Sequence, residues 1–430
     1  MAVPYGGTIS HNHRAAAVDG IPCNQFHMIL QGNFLINRTY KSTIGGLDVH
    51  TFCPCWRVGL GGLALPQNIQ REWKSALWLC TGLLIAAAAA LAAIFSIGSG
   101  RAAIVGETRT VEIKKASDPT VDQLKAAYTR PATIPFPKSN PYTAEKADLG
   151  KKLYFDPRLS AAKAQSCASC HSPGFGWGDG LAKGVGHNMK MLGRRSPTIV
   201  NAAFSQIYMW DGRAATLEEQ ALGPIQAEVE MNLPLSDLLA RLKDIPEYVA
   251  LFRAAFPKDG ITEENIAKAI ATYERTVVSG ISPFDAWVDG NDTAISDAAK
   301  RGFAVFNTKA GCAACHSGWN FTDDSFHDIG LNTEDIGRAK IVPGVLKMEK
   351  AFKTPGLREI ARRGPYMHNG SLKTLEEVVD HYDSGGVERP SRSDAIKPLG
   401  LTQQEKSDLV AFMLTLTGQP DPVPVPVLPR

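Results

Sequence analysis

The sequence predicts a mainly α-helical protein of two related domains with long loops, preceded by a transmembrane or signal helix. Three observations predict that class. Beyond about residue 118, apolar residues recur at helical spacing and sustained strand alternation is scarce. In that region a short helix, a loop and a Cys-x-x-Cys-His motif occur twice, at 149–171 and 301–316. Upstream, 22 residues from Ala76 to Ile97 carry no charge. A chain of 430 residues, 44% hydrophobic and 21% charged, is long enough for more than one core at roughly 150 residues per domain. Disorder and a multi-spanning membrane protein are excluded by the same figures.

Residues 1–75 show neither helical period nor strand alternation and are expected to be an unstructured leader. Cys53-Pro54-Cys55 with His50 offers too few ligands for a metal site. The uncharged run places a membrane anchor or signal segment over 76–98. Arg71 and Lys74 before it predict a cytoplasmic N-terminal side and an exported remainder. A buried Ala-rich core helix is the alternative, and Ala90-Leu91-Ala92 would suit signal cleavage. The product is therefore expected in the periplasm, anchored to the inner membrane or released.

A linker is expected over 99–142. Thr143 suits a helix N-cap for 144–155. Further helices are expected at 216–222, 234–242, 247–255, 262–279, 296–306, 372–382 and 402–416. Leu149-Gly150-Lys151-Lys152-Leu153-Tyr154 before one cysteine pair parallels Arg301-Gly302-Phe303-Ala304-Val305-Phe306 before the other. The duplication divides the body into 143–290 and 291–418, followed by a Pro-rich tail, 419–430. Charge supports no nucleic-acid partner. Of the net +3, the first 100 residues hold six basic against three acidic side chains, and the remainder is balanced.

The motifs are Cys167-Ala168-Ser169-Cys170-His171 and Cys312-Ala313-Ala314-Cys315-His316. Each is a c-type haem attachment signature: two thiols form thioethers to the porphyrin and the adjacent His presents its imidazole to iron. A thioredoxin-like pair needs no following His. A zinc site would require both pairs to converge and would leave the histidines idle. Two covalent haems c follow.

From about Leu149 to Gly418 the chain resembles the bacterial dihaem cytochrome c peroxidase superfamily, which includes the MauG proteins. The residues carrying the resemblance are LGKKLYFDPRLS (149–160) running into CASCH, Gly186-His187, SPTIVNAAF (196–204) and MWDGRAATLEEQALGPIQAEVEM (209–231). CAACH (312–316) and TPGLREIARRGPYMHNGSLKTLEEVVDHYDSGG (354–386) complete the set.

That resemblance implies two cytochrome c-like domains and a residue-by-residue assignment. His171 becomes the proximal ligand of the N-terminal haem, where hydrogen peroxide reacts, and His187 matches the distal His of resting peroxidases. Glu230 matches the distal carboxylate, with Pro224 and Met231 lining its pocket, and Trp210 matches an indole between the haems. His316 becomes the proximal ligand of the C-terminal, electron-transfer haem. Where typical peroxidases place Met opposite it, the same interval from His368 reaches Tyr382, as in MauG-like proteins. Met367 is the rival ligand, and His381 points about 100° away from its neighbour Tyr382.

Calcium between the haems is also implied, but Arg195 stands where the family has a ligating Asn, which disfavours a cation. The implied activity is reduction of hydrogen peroxide with electrons from a small cytochrome c or cupredoxin. Its alternatives are MauG-like oxidation of a dedicated partner protein through a high-valent dihaem state, and a non-catalytic electron-transfer cytochrome. Family members are often homodimers, which the resemblance implies here too.

Overall fold

The computed structural model describes residues 43–44, 47–48, 120–419 and 422–430. Contacts divide the chain into Met1–Glu112 and Ile113–Arg430. In the first unit a strand pair is described, β1 (Thr43–Ile44) antiparallel to β2 (Leu47–Asp48), inside the segment expected to be unstructured. The anchor or signal segment at 76–98 lies outside the described residues. Among the described residues, no helix is long and apolar enough to cross a membrane.

The second unit is mainly helical and holds two cores. The first is built on α2 (Ala144–Phe155), capped by the Thr143 side chain, which accepts from the Lys146 amide. It crosses α7 (Glu263–Thr276), capped by Thr262. Leu149, Leu153, Tyr154, Tyr248, Phe252, Ile266 and Ile270 are fully buried there. The crossing is close because of Gly150: a Cβ at that position would lie 1.9 Å from the Ala269 carbonyl oxygen.

The second core repeats this construction. α9 (Asp297–Asn307) crosses α11 (Gln403–Leu414), and a Cβ on Gly302 would lie 1.9 Å from the Asp408 carbonyl oxygen. Phe284, Phe303, Phe306, Phe321 and Phe412 fill the core, which α10 (Leu375–Ser384) completes. The paired Leu-Gly and Arg-Gly segments are thus the same device used twice: each glycine lets the first helix of a domain touch the last.

Several elements depart from the sequence reading. Within 99–142, expected as a linker, α1 (Val121–Ala126) leads into Tyr128, which is buried against Phe284, Phe303 and Phe321 of the second core. The 216–222 helix runs on as α4 (Leu217–Gln226), through Pro224. Pro224 cannot donate to the Gln220 carbonyl, but burial of Ala221 and Ile225 holds the helix together across it. The remaining N-terminal helices are α3 (Cys167–Cys170), α5 (Leu235–Lys243) and α6 (Pro246–Ala255). α8 (Pro283–Val288), unexpected from the sequence, joins the halves.

Candidate active site

Each Cys-x-x-Cys-His motif folds as one tight turn. The His171 amide donates to the Cys167 carbonyl at 2.9 Å, and the His316 amide to the Cys312 carbonyl at the same distance. Each imidazole is then fixed from its far side: His171 Nδ1 lies 2.8 Å from the Pro197 carbonyl and His316 Nδ1 lies 2.9 Å from the Phe321 carbonyl. A carbonyl can only accept, so Nδ1 carries the proton and Nε2 keeps its lone pair. Burial lowers the pKa of both rings and keeps them neutral. Each motif therefore offers two thiols and one oriented, uncharged nitrogen donor.

The first motif opens on a cavity of about 540 Å³, mouth included, lined by Cys167, Cys170, His171, Pro224, Glu230 and Met231 among others. Glu230 arrives on the turn after α4, where its amide donates to the Ala227 carbonyl at 2.9 Å. Burial raises its carboxyl above the usual range, partly offset by the positive charge of Arg213. A second carboxyl on the same wall, Glu274, is buried and pushed up to about 8, also by burial.

His187 is placed differently from these residues. Its neighbour Gly186 lines the cavity, whereas His187 is not among the lining residues. The His187 amide donates to the Val229 carbonyl at 3.1 Å, and a Cβ on Gly186 would meet that oxygen at 1.9 Å. The Gly-His loop is thus pressed against the backbone that presents Glu230. His187 Nδ1 is buried without a hydrogen-bond partner among the described residues.

The second motif opens on a larger apolar cavity of about 1590 Å³, mouth included, lined by Cys312, Cys315, His316, Met367, His368 and Tyr382 among others. Tyr382 comes from α10, and burial pushes its phenol well above the ordinary value. Its hydroxyl makes no hydrogen bond among the described residues, whereas the adjacent His381 is occupied, Nε2 lying 3.0 Å from the Ile329 carbonyl. Met367 sits at φ +71° in the turn before His368. His368 is stacked on Phe352 at 3.5 Å between ring centroids and is pushed down to about 4, chiefly by burial.

Trp210 belongs to the N-terminal half but lines the second cavity. Its indole N–H donates to the Arg195 carbonyl at 2.8 Å, and its own carbonyl accepts from the Lys353 amide at 2.8 Å. The ring lies edge-on to His368, 6.4 Å between centroids. Two residues beyond Arg195, the Pro197 carbonyl holds His171. One short segment, 195–197, thus links the indole at the second cavity to the imidazole at the first.

Residues 144–293 match the model of the Di-haem cytochrome c peroxidase family, and 299–417 match that of Cytochrome c. The methylamine utilization protein MauG of Methylorubrum extorquens is 51% identical over 317 residues, 73% of this chain and 90% of that protein. The chain belongs to the dihaem cytochrome c peroxidase family. Cytochrome c551 peroxidase of Pseudomonas aeruginosa is 35% identical over 325 residues, 73% of this chain and 90% of that protein. A solved MauG-like protein associated with microbial copper homeostasis superposes with a TM-score of 0.63 at 31% identity, covering 67% of this chain and 95% of the other.

Members of this dihaem family are oxidoreductases, and this chain carries two covalently bound c-type haems. The residues fit that group: thiol pair, oriented imidazole and an adjoining cavity coincide twice. Calcium does not fit. Arg195 is 5% exposed, and its guanidinium donates to the Arg363 carbonyl at 2.5 Å. The buried Arg363 guanidinium lies close by, so a divalent cation would meet two positive charges.

Proposed function

We propose that the protein reduces hydrogen peroxide at its N-terminal site, drawing electrons through its C-terminal site from a periplasmic redox protein such as a small cytochrome c or cupredoxin. The observation that carries this reading is Glu230: a carboxyl of raised pKa on the wall of the cavity that contains Cys167, Cys170 and His171. When bound, the haem supplies the iron at which the peroxide O–O bond is cleaved and the oxidising equivalents are retained. His171 Nε2 would hold that haem, its basicity supported by the Pro197 carbonyl at Nδ1. The Glu230 carboxylate takes a proton from one peroxide oxygen and returns it to the departing one as water. Pro224 and Met231 narrow the pocket beside it and exclude bulk water. Trp210 is the redox relay between the sites.

A second reading draws on Tyr382 and on the 51% identity with MauG. Phenolate oxygen is a hard anionic donor that favours ferric over ferrous iron. If His316 and Tyr382, which line the same cavity, both held the second haem, it would be a poor ferrous store and better suited to oxidising a side chain of a dedicated protein. A membrane anchor through 76–98 would hold either activity at the inner membrane.

The test is peroxide-dependent oxidation of a reduced cytochrome c by the wild type and Glu230→Gln. The variant is expected to lose about 10²–10⁴-fold in kcat/KM for peroxide while both haem spectra are kept. An undiminished rate removes Glu230 from the mechanism. No turnover of any generic donor, together with peroxide-dependent crosslinks in a co-expressed partner, would select the second reading.

A further inference from the structure

We propose that Arg195 and Arg363 form the carboxylate-binding subsite of the second cavity, holding the propionate groups of its porphyrin and standing where a divalent cation would otherwise bind. This rests on placement of the C-terminal haem in that cavity. Both side chains line it, and they are only 5% and 6% exposed. Taking a guanidinium out of water is costly unless a counter-charge meets it. Among the described residues neither makes an ion pair within 4 Å, although the two other buried arginines do, Arg275 with Glu218 and Arg358 with Asp285.

The protein partners they do have are neutral carbonyls. Arg195 donates to the Arg363 carbonyl, and Arg363 donates to the carbonyls of Arg358 and Gly356 at 2.7 and 2.8 Å. Nε of each is buried with no acceptor. Asp179 is the carboxylate that Arg195 senses, but it is engaged by the Ser196 hydroxyl at 2.7 Å and the Leu181 amide at 3.0 Å. Two fixed positive charges with unfilled donors therefore face a cavity that takes a dicarboxylate ligand. Arg forks match carboxylates geometrically. The pair also adjoins both imidazoles, Arg195 being felt by His171 and Arg363 by His316.

The experiment is redox titration of the holoprotein between about pH 4 and 7, with haem content and the EPR ligand signature recorded alongside. Wild type should show a second-haem midpoint that is nearly independent of pH and indifferent to EDTA or added calcium. In Arg195→Gln and Arg363→Gln the midpoint should fall, because a positive charge that favoured the reduced state is gone. It should also acquire a pH-dependent limb as the released propionate returns toward the ordinary carboxylate range. Arg195→Lys, which keeps the charge without the planar fork, should move the midpoint less; if the Gln variants do not mature, Arg195→Lys and Arg363→Lys carry the test with the same sign.

Unchanged midpoints in variants that retain two haems and the wild-type ligand signature would overturn the proposal, as would one tightly bound calcium per wild-type chain. A ligand signature insensitive to replacement of His316 would instead remove the haem placement beneath it.

Discussion

Glu230 takes its proposed role from two opposed influences, burial that raises its carboxyl and the Arg213 charge that lowers it. As a proton acceptor it must be ionised, so the peroxide rate should fall as pH drops through that raised pKa. Arg213→Gln removes the lowering influence and should move the acidic limb of the kcat/KM profile to higher pH. The Arg213 side chain is 43% exposed, so the shift should shrink in high salt. A limb that stays put assigns it to another group. Tyr382→Met exchanges a hard oxygen for a soft thioether and should raise the midpoint of the second haem and change its ferric EPR signal. An unchanged signal would hand the ligand role to Met367, on the same cavity wall. The two Cys-x-x-Cys-His turns were legible because attachment chemistry is local: five adjacent residues hold the whole instruction. Glu230, Trp210 and Tyr382 have no such local pattern, and only the ordered resemblance singled them out. The convergence of Arg195 with Arg363, far apart in sequence, was invisible, since burial of a charge is written in no short motif.

At the scale of elements, the two glycine crossings decide how closely the first and last helices of each haem domain approach. In an exposed helix Gly→Ala would stabilise by up to about 1 kcal/mol. Gly150→Ala and Gly302→Ala should reverse that sign, because each new Cβ would collide with a backbone oxygen that no rotamer change can move. A cost of about 1–3 kcal/mol is expected, read as a lower midpoint in denaturant titration of the holoprotein. Stabilisation in either variant would mean the helices can separate freely. Most helices were legible from period and caps, and 144–155 has the predicted limits because Thr143 caps it and Asp156 leaves the helical region. The fate of Pro224 was not, since packing of Ala221 and Ile225, on the same helix, into the first core decides it. α8 carried an overlooked local signal: Ser282 caps it, Pro283 takes the first turn and Asp285 returns the capping bond.

The whole molecule depends on a charged joint that seats the Trp210 loop of one half on the other. Arg194 donates to Asp335 at 2.6 Å and to Asp211 at 2.7 Å, while Arg338 clasps the Asp211 and Gly212 carbonyls. Gly212, at φ +65°, lies so close to Phe326 that a Cβ would fall 2.2 Å from the ring. A sequence can show that two domains exist, as the duplicated motif did, but this joint pairs side chains from distant segments whose charges look like ordinary surface residues. Burial works to raise the Asp211 and Asp335 carboxyls, and Arg194 with Arg213 and Lys340 overcomes it and holds both below the usual range. A depressed folded pKa contributes stability that is present above the unfolded carboxylate value of about 3.9 and lost as pH falls through the folded one. Arg194→Gln should therefore cost about 2 kcal/mol at neutral pH, less than a fully buried pair because Arg213 and Lys340 remain. The difference in Tm between wild type and variant should hold steady from neutral pH down to about pH 4 and narrow only below it, as pH falls toward the depressed folded values of Asp211 and Asp335. A Tm difference that does not narrow in acid would show that Arg194 holds the joint by packing rather than by charge.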